Sequence, residues 1–371
     1  MKPLSLMLKP ASSECNLDCK YCFYHSLCQA RTAPSHGFMS VETLETVLKK
    51  AFEYTEGAPL SLSFQGGEPL LRGKDFYYRL AELLDGYRKQ GNKVSVGIQT
   101  NGTLIDEEWC DIFVGNGWLV GLSLDGDEEA NAFRVDKNGK PTFTKVYAAA
   151  KLMQKKNVDF NVLSVLTEPT ALRIEEIYDF FRKNSFNYLQ FIPCLKPFRF
   201  ENGVLQTTPD YSPLYADGKQ YTLSAEAYAH FLIEGFARYY ADYRSGNYIS
   251  VRQFDNFIRL ARFEPAEQCG MNGYCTRQFV IEGDGEVYPC DFYCLDEYSL
   301  GNIYANGFEE MGRSPKALAF IKESLTLPEK CKHCDYFALC RNGCKRERYD
   351  IDKCSAYLRF FYTYFPARGK V

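Results

Sequence analysis

Three closely spaced cysteines, Cys15, Cys19 and Cys22, follow a short apolar run and constrain this chain more than any other feature. Their thiols can converge on one centre if the segment is a loop wrapped around a bound group. Thiolates bind zinc, copper(I) or iron–sulfur clusters, and a four-iron cluster takes four ligands. No fourth ligand follows at zinc-finger spacing, and His25 and Cys28 are the nearest candidates. The pattern favours a four-iron cluster with one open iron over three structural thiols or an incomplete zinc site.

The composition argues against several classes of partner. Lys and Arg number 44 and Asp and Glu 47, so the formal net charge is −3 and gives no electrostatic case for nucleic acid or an anionic membrane. No apolar run approaches the ~18 residues of a membrane-spanning helix, and the N-terminus lacks the features of a signal peptide. Fifteen cysteines without an export signal indicate metal binding rather than disulfides. We therefore predict a cytoplasmic protein.

Strand and helix patterns alternate through the first two-thirds of the chain. Short apolar runs are followed by segments of helical periodicity, the first of which Ser40 would cap. The predicted strands span residues 4–8, 60–64, 93–99, 118–124, 159–166 and 188–192, and the predicted helices span 40–55, 74–89, 106–115, 142–156 and 170–184. This alternation predicts an α/β fold with a parallel sheet and right-handed crossovers.

Polar and glycine-rich motifs follow these strands, at the positions where barrel enzymes place their active sites. Gly-Gly-Glu-Pro occupies 66–69 after the second strand, and Gln-Thr-Asn-Gly occupies 99–102 at the end of the third. A Gly-Gly pair alone is more often a simple turn. Following a strand and the cysteine loop, it indicates a binding site, and Gln99, Thr100 and Asn101 are further candidates for the lining of a cavity.

We predict three segments, namely a barrel over 1–223, a helical bridge over 224–262 and a cysteine-rich domain over 263–371. The stretch 196–223 shows no clear period, and it could equally close over the cavity or form a variable surface loop. The predicted helices of the bridge span 224–244 and 249–262.

The last third is again rich in cysteine, around a predicted hairpin whose turn is Asp284-Gly285. The candidate metal ligands there are Cys269, Cys275, Cys290, Cys331, Cys334, Cys340, Cys344 and Cys354. They suffice for two four-iron clusters, and the alternative is a zinc ribbon on Cys331, Cys334, Cys340 and Cys344. The remaining cysteines are expected to be small buried packing residues: Cys28, Cys110, Cys194 and Cys294.

The pattern Cys-x3-Cys-x-aromatic-Cys, formed by Cys15, Cys19, Tyr21 and Cys22, resembles the signature of the radical S-adenosylmethionine (SAM) superfamily. The resemblance implies a partial (β/α)6 barrel in which SAM binds the open iron and is cleaved to a 5′-deoxyadenosyl radical. The residues that it places near SAM are Tyr21, Gly66, Gly67, Glu68, Ser123, Arg134 and Leu195. The alternative for Arg134 is an ordinary surface arginine.

The C-terminal cysteines resemble the SPASM extension, which occurs on radical SAM enzymes that modify peptides and proteins. This resemblance implies a small domain with a β-hairpin, short helices and two auxiliary [4Fe–4S] clusters. The crossed connectivity of that family would assign one cluster to Cys269, Cys275, Cys290 and Cys344, and the other to Cys331, Cys334, Cys340 and Cys354.

Across nearly its whole length the chain resembles the anaerobic sulfatase-maturating enzymes. The stretches that carry this resemblance are 9–13, 22–25, 64–69, 99–102, 269–273, 278–280 and 288–293. Those enzymes oxidise the Cys or Ser of a sulfatase's Cys/Ser-x-Pro/Ala-x-Arg motif to Cα-formylglycine, starting with hydrogen abstraction from Cβ. Asp291, next to Cys290, matches the base position of that family and is predicted to accept the proton. Tyr24 and Gln65 flank the predicted SAM-site motifs and are predicted to face the cavity and bind substrate, and a flavodoxin or ferredoxin is the expected electron donor. Otherwise Asp291 would merely accept backbone hydrogen bonds.

Two other functions stay open at this point. The chain could form thioether or carbon–carbon crosslinks in a ribosomal peptide, although no N-terminal peptide-recognition domain precedes the first strand. It could also be an iron–sulfur electron-transfer or scaffold protein, although the three-cysteine loop and the Gly-Gly-Glu-Pro motif argue against this. Cleavage of SAM by the reduced protein would exclude the second alternative.

Overall fold

The computed structural model describes residues 2–201, 204–206, 221–348 and 352–365. Its strands, numbered in chain order, are β1 (Leu4–Leu8), β2 (Leu60–Phe64), β3 (Val94–Thr100), β4 (Leu119–Ser123), β5 (Phe160–Leu166), β6 (Tyr188–Pro193), β7 (Arg199–Glu201), β8 (Val204–Gln206), β9 (Ser250–Val251), β10 (Val280–Ile281), β11 (Glu286–Tyr288) and β12 (Gly301–Asn302). Its α-helices are α1 (Phe23–Gln29), α2 (Val41–Thr55), α3 (Lys74–Lys89), α4 (Glu107–Asn116), α5 (Phe143–Lys155), α6 (Glu168–Leu172), α7 (Ile174–Lys183), α8 (Ala225–Ser245), α9 (Arg252–Ala261), α10 (Phe308–Gly312), α11 (Pro315–Ser324), α12 (Glu329–Lys332), α13 (Phe337–Cys340) and α14 (Lys353–Tyr364).

The predicted alternation of strands and helices is confirmed by β1 to β6 and by the helices that follow them. Ser40 caps α2 as predicted, because its hydroxyl accepts a hydrogen bond from the backbone N–H of Thr43. One predicted helix, 170–184, is wrong in its start and continuity. Thr167 caps an earlier start, and Arg173, with a φ of −107°, interrupts the helix between α6 and α7.

The stretch after β6 is only partly described. Strands β7 and β8 pair antiparallel within it, whereas residues 202–203 and 207–220 lie outside the described part of the chain. The question of whether 196–223 covers the cavity therefore falls mostly on residues that are not described. In the predicted helix 249–262, the short strand β9 precedes the helix α9.

The chain forms two compact units, the first of which comprises Met1–Ser123, Arg134–Phe160 and Arg277–Phe320. Its strand order is β12-β11-β10-β1-β2-β3-β4, with β1 to β4 parallel. Alternate side chains such as Leu8 and Phe64, which are register partners, are fully buried. The apolar face of α2 is likewise buried, so the unit has the helix-covered parallel sheet that the sequence predicts.

The predicted hairpin is confirmed, and it extends this same sheet. Strand β10 pairs antiparallel with β11 and parallel with β1, so that Met7 lies opposite Val280 and Leu8 opposite Ile281. The residues that follow β1 and those that follow β10 therefore lie next to each other, although they are nearly three hundred positions apart in the sequence. The three predicted segments stay a prediction about domains, since the compact units are defined by contacts alone.

The second unit comprises Leu124–Phe133, Asn161–Thr276 and Ile321–Val371. Within it β5, β6 and β9 are parallel neighbours. Helices α8 and α14 pack through aromatic rings, such as Phe236 against Phe360 at a centroid distance of 5.3 Å. None of the helices in the described ranges is long and apolar enough to cross a membrane.

The two glycines after β2 are required by a close approach of main chain to main chain. Gly67 donates its N–H to the carbonyl of Ser12 at 2.8 Å, and a Cβ on Gly67 would overlap the carbonyl of Glu14. Gly66 has a φ of +114°, which side-chain-bearing residues rarely adopt. The cysteine loop can therefore lie against the end of β2 only if this turn has no side chains.

This contact predicts opposite effects for two Gly→Ala substitutions. Gly67→Ala should displace the cysteine loop, destabilise the protein by about 1–3 kcal/mol or more through steric overlap, and lower the iron content after reconstitution. Gly86→Ala is the matched control, because Gly86 lies within α3 with no atom within 4 Å of its added Cβ. It should stabilise the protein by roughly 0.5–1 kcal/mol. Chemical denaturation and iron analysis would measure both, and equal effects would contradict the proposed contact.

Candidate active site

The three cysteines lie on a loop held by its own backbone and by a neighbouring segment. The N–H of Asp18 donates to the carbonyl of Val135 at 2.8 Å, and that of Cys22 donates to the carbonyl of Cys19 at 3.1 Å. The three cysteine residues are half-buried. Burial and then the nearby Cys19 and Cys15 thiols raise the pKa of Cys22. This donor set fits a cluster with three protein ligands.

A single metal ion fits the described residues poorly. No three His, Cys, Asp or Glu side chains in the described ranges converge closely enough to bind one ion, whereas tetrahedral zinc takes four ligands. A four-iron cluster binds one thiolate at each iron. The choice between clusters and zinc stays a prediction at this point.

Glu68 of the glycine motif is fully buried and hydrogen-bonded by its neighbours. Its carboxylate accepts hydrogen bonds from the Leu70 N–H (3.0 Å), the Thr100 hydroxyl (2.8 Å) and the Asn101 N–H (2.7 Å). It thus joins the ends of β2 and β3. The predicted contact of this residue with SAM stays a prediction, and the structure adds a positioning role that the sequence did not indicate.

Most of the other residues predicted to contact SAM lie, like Glu68, in the first compact unit. The Gln99 side-chain amide donates to the Ser123 hydroxyl at 3.0 Å, and the Arg134 guanidinium lies 5.5 Å from the centre of the Tyr21 ring. Arg134 is only 6% exposed, so the alternative of an ordinary surface arginine is wrong. Leu195 is buried and belongs to the second unit.

The predicted base, Asp291, lies in a buried group of charges. The Tyr24 hydroxyl donates to its Oδ2 at 2.5 Å, and the Lys9 ammonium lies 2.9 Å from its Oδ1. The Lys9 contact is an ion pair without hydrogen-bond geometry, because Oδ1 has no hydrogen-bond partner among the described atoms. Asp291 therefore does more than accept backbone hydrogen bonds, because a phenol and an ammonium contact its two oxygens.

Burial and charge fix the protonation of the two neighbours of Asp291. Burial, followed by the Asp291 carboxylate, raises the pKa of Tyr24 well above its usual value, so this phenol stays a donor. Burial lowers the pKa of Lys9, but Asp291, Cys294 and Glu282 outweigh it and hold that pKa well above its usual range. Lys9 is therefore a cation within the buried group.

A second ion pair extends the group of charges away from Asp291. Glu282 lies 3.4 Å from Lys9 and accepts a hydrogen bond from Arg31 at 2.7 Å, and neither Arg31 nor Glu282 exposes its side chain. Burial raises the pKa of Glu282, but the two cations outweigh this and lower it overall. Sequence reasoning assigned no role to Lys9, Arg31 or Glu282. The available signal for Lys9 and Glu282 was a charged residue at the end of an apolar strand, and Arg31, which follows α1, gave no such signal.

The cysteines of the second unit fall into two groups. Burial raises the pKa of Cys340 to about 11, and its neighbouring thiols are Cys334, Cys331 and Cys354. Cys275 influences the pKa of both Cys269 and Cys344. This grouping is compatible with the crossed assignment, which stays a prediction. The remaining predicted ligand, Cys290, belongs to the first unit.

Three of the four remaining cysteines are buried, as predicted: Cys110, Cys194 and Cys294. The prediction for Cys28 is wrong, because this residue is half-buried and its sulfur accepts a hydrogen bond from Arg31 at 3.3 Å. Cys294 also has a polar neighbour, since its sulfur lies 3.5 Å from the Lys9 ammonium.

The burial of Glu68 predicts a specific dependence of stability on pH. Burial raises the pKa of Glu68 to about 7, although hydrogen bonds from Asn101, Leu70 and Thr100 oppose it. The folded protein thus binds this proton more tightly than the unfolded chain, and the stability gained is complete below about 4.5 and lost as the pH rises through about 7. As the pH rises from 5.5 to 7.5, the midpoint temperature of thermal unfolding should fall more steeply for the wild type than for Glu68→Gln. Parallel curves would contradict the elevated pKa.

Comparison with known proteins agrees with this geometry. The family model of the radical SAM superfamily matches residues 10–181, and that of an iron–sulfur cluster-binding domain, SPASM, matches residues 254–335. A cysteine-type anaerobic sulfatase-maturating enzyme of Clostridium perfringens is 43% identical over 99% of this chain and 97% of its own. A serine-type enzyme of Bacteroides thetaiotaomicron is 32% identical over 98% of this chain and 90% of its own.

A solved structure extends the agreement to the fold. Native anSMEcpe with bound AdoMet and the peptide Cp18Cys superimposes with a TM-score of 0.88, at 41% identity, and the match covers 98% of this chain and 97% of that one. The predicted fold class, a partial radical SAM barrel followed by a SPASM domain, is thereby confirmed, as are SAM and iron–sulfur clusters as cofactors. The chain belongs to the radical SAM family of anaerobic sulfatase-maturating enzymes.

Proposed function

We propose that this protein oxidises a Cys or Ser side chain in a sulfatase to Cα-formylglycine. Family membership supports sulfatase maturation as the activity, and the buried contact of Tyr24 and Lys9 with Asp291 supports the chemistry. Cys15, Cys19 and Cys22 would hold the SAM-binding cluster. When bound, SAM and the clusters supply the abstracting radical and the path for electrons.

The chain's own contribution is a positioned proton acceptor. After a hydrogen atom leaves Cβ of the target residue, formation of the C=S or C=O bond requires the loss of one more electron and one proton. Asp291 would take that proton on its carboxylate, whose two oxygens are held by the Tyr24 hydroxyl and the Lys9 ammonium. The neighbouring residue Cys290 would help to hold an auxiliary cluster, which would supply an acceptor for the electron. Water would then hydrolyse a thioaldehyde to the aldehyde with loss of hydrogen sulfide.

Tyr24 and Lys9 would keep this base in place. The Tyr24 phenol already donates a hydrogen bond to Oδ2 of Asp291. Its proposed effect on substrate binding would therefore act partly through Asp291. Lys9 would balance the carboxylate's charge in a buried setting, where an unpaired charge is costly. Gln65 remains the second proposed substrate contact. It follows β2, and its backbone N–H donates to the carbonyl of Leu8.

The sulfatase's Cys/Ser-x-Pro/Ala-x-Arg segment is the proposed substrate. A homologous enzyme binds the peptide Cp18Cys, which supports recognition of a peptide. A flavodoxin or ferredoxin is the proposed electron donor. Reduced thiols and iron–sulfur clusters suit a reducing compartment, and we propose that the protein works in the cytoplasm.

Replacing the proposed base should separate SAM cleavage from product formation. Asp291→Asn keeps the shape of the side chain but accepts a proton poorly, so formylglycine formation should fall by roughly 10²-fold or more. Formation of 5′-deoxyadenosine should continue. Mass spectrometry of the peptide and chromatography of the nucleoside would measure the two products under anaerobic conditions.

Asp284→Asn is the matched control for this substitution, because Asp284 lies in the turn of the hairpin that precedes Asp291 and is half exposed. It should retain both activities. If Asp291→Asn still makes formylglycine at the wild-type rate, Asp291 is not the base. If wild type cleaves SAM but leaves the sulfatase peptide unchanged, the proposed substrate is wrong.

The choice between the two target residues gives a separate prediction. Relatives named cysteine-type are 41–43% identical to this chain, and those named serine-type are 28–32% identical. We therefore expect a Cys-x-Pro-x-Arg peptide to be converted faster than its Ser counterpart under the same conditions. Time courses by mass spectrometry would measure the two rates, and a faster Ser peptide would reverse the assignment.

A further inference from the structure

Asn101, at the end of β3, directs its side-chain amide towards the first cysteine of the loop. Its Nδ2 lies 3.8 Å from the sulfur of Cys15 and 2.9 Å from Oδ1 of Asn16. The first distance is long but within the range of hydrogen bonds to sulfur. Asn101 is 8% exposed, so water competes little for this donor.

The orientation of this amide is determined by its other partner. Asn101 Oδ1 accepts hydrogen bonds from the backbone N–H of Thr103 at 2.9 Å and from the Thr103 hydroxyl at 2.7 Å. A backbone N–H can only donate, so the amide oxygen must face Thr103. The NH2 group is consequently directed towards Cys15 and Asn16, and a flipped amide would oppose two donors.

The backbone of Asn101 is fixed as well. Its N–H donates to the buried carboxylate of Glu68 at 2.7 Å. The side-chain amide of Asn16 donates to the hydroxyl of Thr103 at 2.9 Å, which closes a ring of hydrogen bonds between the cysteine loop and the end of β3. The donor is therefore preorganised before any cluster binds.

We propose that Asn101 donates a hydrogen bond to the Cys15 sulfur when that thiolate is a cluster ligand, and thereby raises the reduction potential of the SAM-binding cluster. One-electron reduction adds a negative charge to the cluster, and a nearby donor stabilises the reduced form more than the oxidised form. Asn101 is thus a positioning residue that would ease the reduction on which SAM cleavage depends. The proposal rests on Cys15 as a ligand and not on the sulfatase substrate.

A second hydrogen-bond donor to the Cys15 sulfur limits the expected shift in reduction potential. The backbone N–H of Leu17 lies 3.4 Å from the same sulfur, and side-chain substitution of Asn101 leaves it in place. Loss of the Asn101 donor should therefore shift the potential without abolishing reduction.

The test is a redox titration of reconstituted holoenzyme with dithionite, followed by electron paramagnetic resonance. The SAM-binding cluster is identified as the signal that changes when SAM is added. Asn101→Leu removes the donor without adding charge, and Asn101→Asp keeps the acceptor for Thr103. In both, the ratio of reduced to oxidised cluster at a fixed potential should fall about tenfold, which is a midpoint lower by about 59 mV for one electron.

One control variant should leave the midpoint unchanged. Asn92→Asp makes the same amide-to-carboxylate change at a residue whose amide donates to the carbonyl of Tyr87. Asn92 precedes β3 whereas Asn101 follows it, so the two residues lie at opposite ends of that strand.

A wild-type midpoint in Asn101→Leu overturns the proposal. If that variant does not retain its cluster, wild type and Asn101→Asp are compared by electron–nuclear double resonance in H2O and D2O. This method measures the hyperfine couplings of exchangeable protons near the cluster. A coupling lost in Asn101→Asp supports the proposal, and identical couplings overturn it. Retention of the SAM-sensitive signal in Cys15→Ala would show instead that the ligand assignment is at fault.

Discussion

The buried charges around Lys9 depend on the pairing of two strands from opposite ends of the chain. Lys9 follows β1, Glu282 follows β10, and these strands are parallel neighbours. Two cations, Lys9 and Arg31, meet two carboxylates, Glu282 and Asp291, in a region with almost no solvent exposure. Removing any one partner would leave an uncompensated buried charge, which typically costs about 3–5 kcal/mol. The group therefore ties the position of the proposed base to the register of the sheet.

A second set of contacts ties the cysteine loop to the neighbouring strand ends. The side-chain-free turn at Gly66 and Gly67 lets the loop backbone lie against the end of β2. Glu68 then links that turn to the end of β3 through Thr100 and Asn101. The Gly-Gly-Glu-Pro and Thr-Asn-Gly motifs are thus parts of one structural unit, and each limits where the three thiols can lie.

The two sets of contacts serve different steps of the proposed chemistry. The contacts of Glu68 and Asn101 concern the cluster that cleaves SAM, while those of Lys9 and Tyr24 concern the removal of a proton from the substrate. Both lie in the first compact unit and are anchored at the ends of its parallel strands. Asp291 is adjacent in sequence to Cys290, so the proposed proton acceptor and a proposed ligand of an electron acceptor share one short loop.

The sequence by itself determined the elements and the chemistry-bearing residue types. Periodicity located β1 to β6 and most helices, because local hydrophobic patterning decides which residues can be buried. Cysteine spacing predicted the cluster loop, and resemblance suggested Asp291 as the base. Only the tertiary structure decided the roles of Lys9, Arg31, Glu282 and Asn101, and it broke the predicted helix 170–184 at Arg173. Those roles arise from contacts between residues distant in the chain, such as Lys9 with Asp291. Local sequence carries no signal for such contacts, because they exist only once β10 has paired with β1.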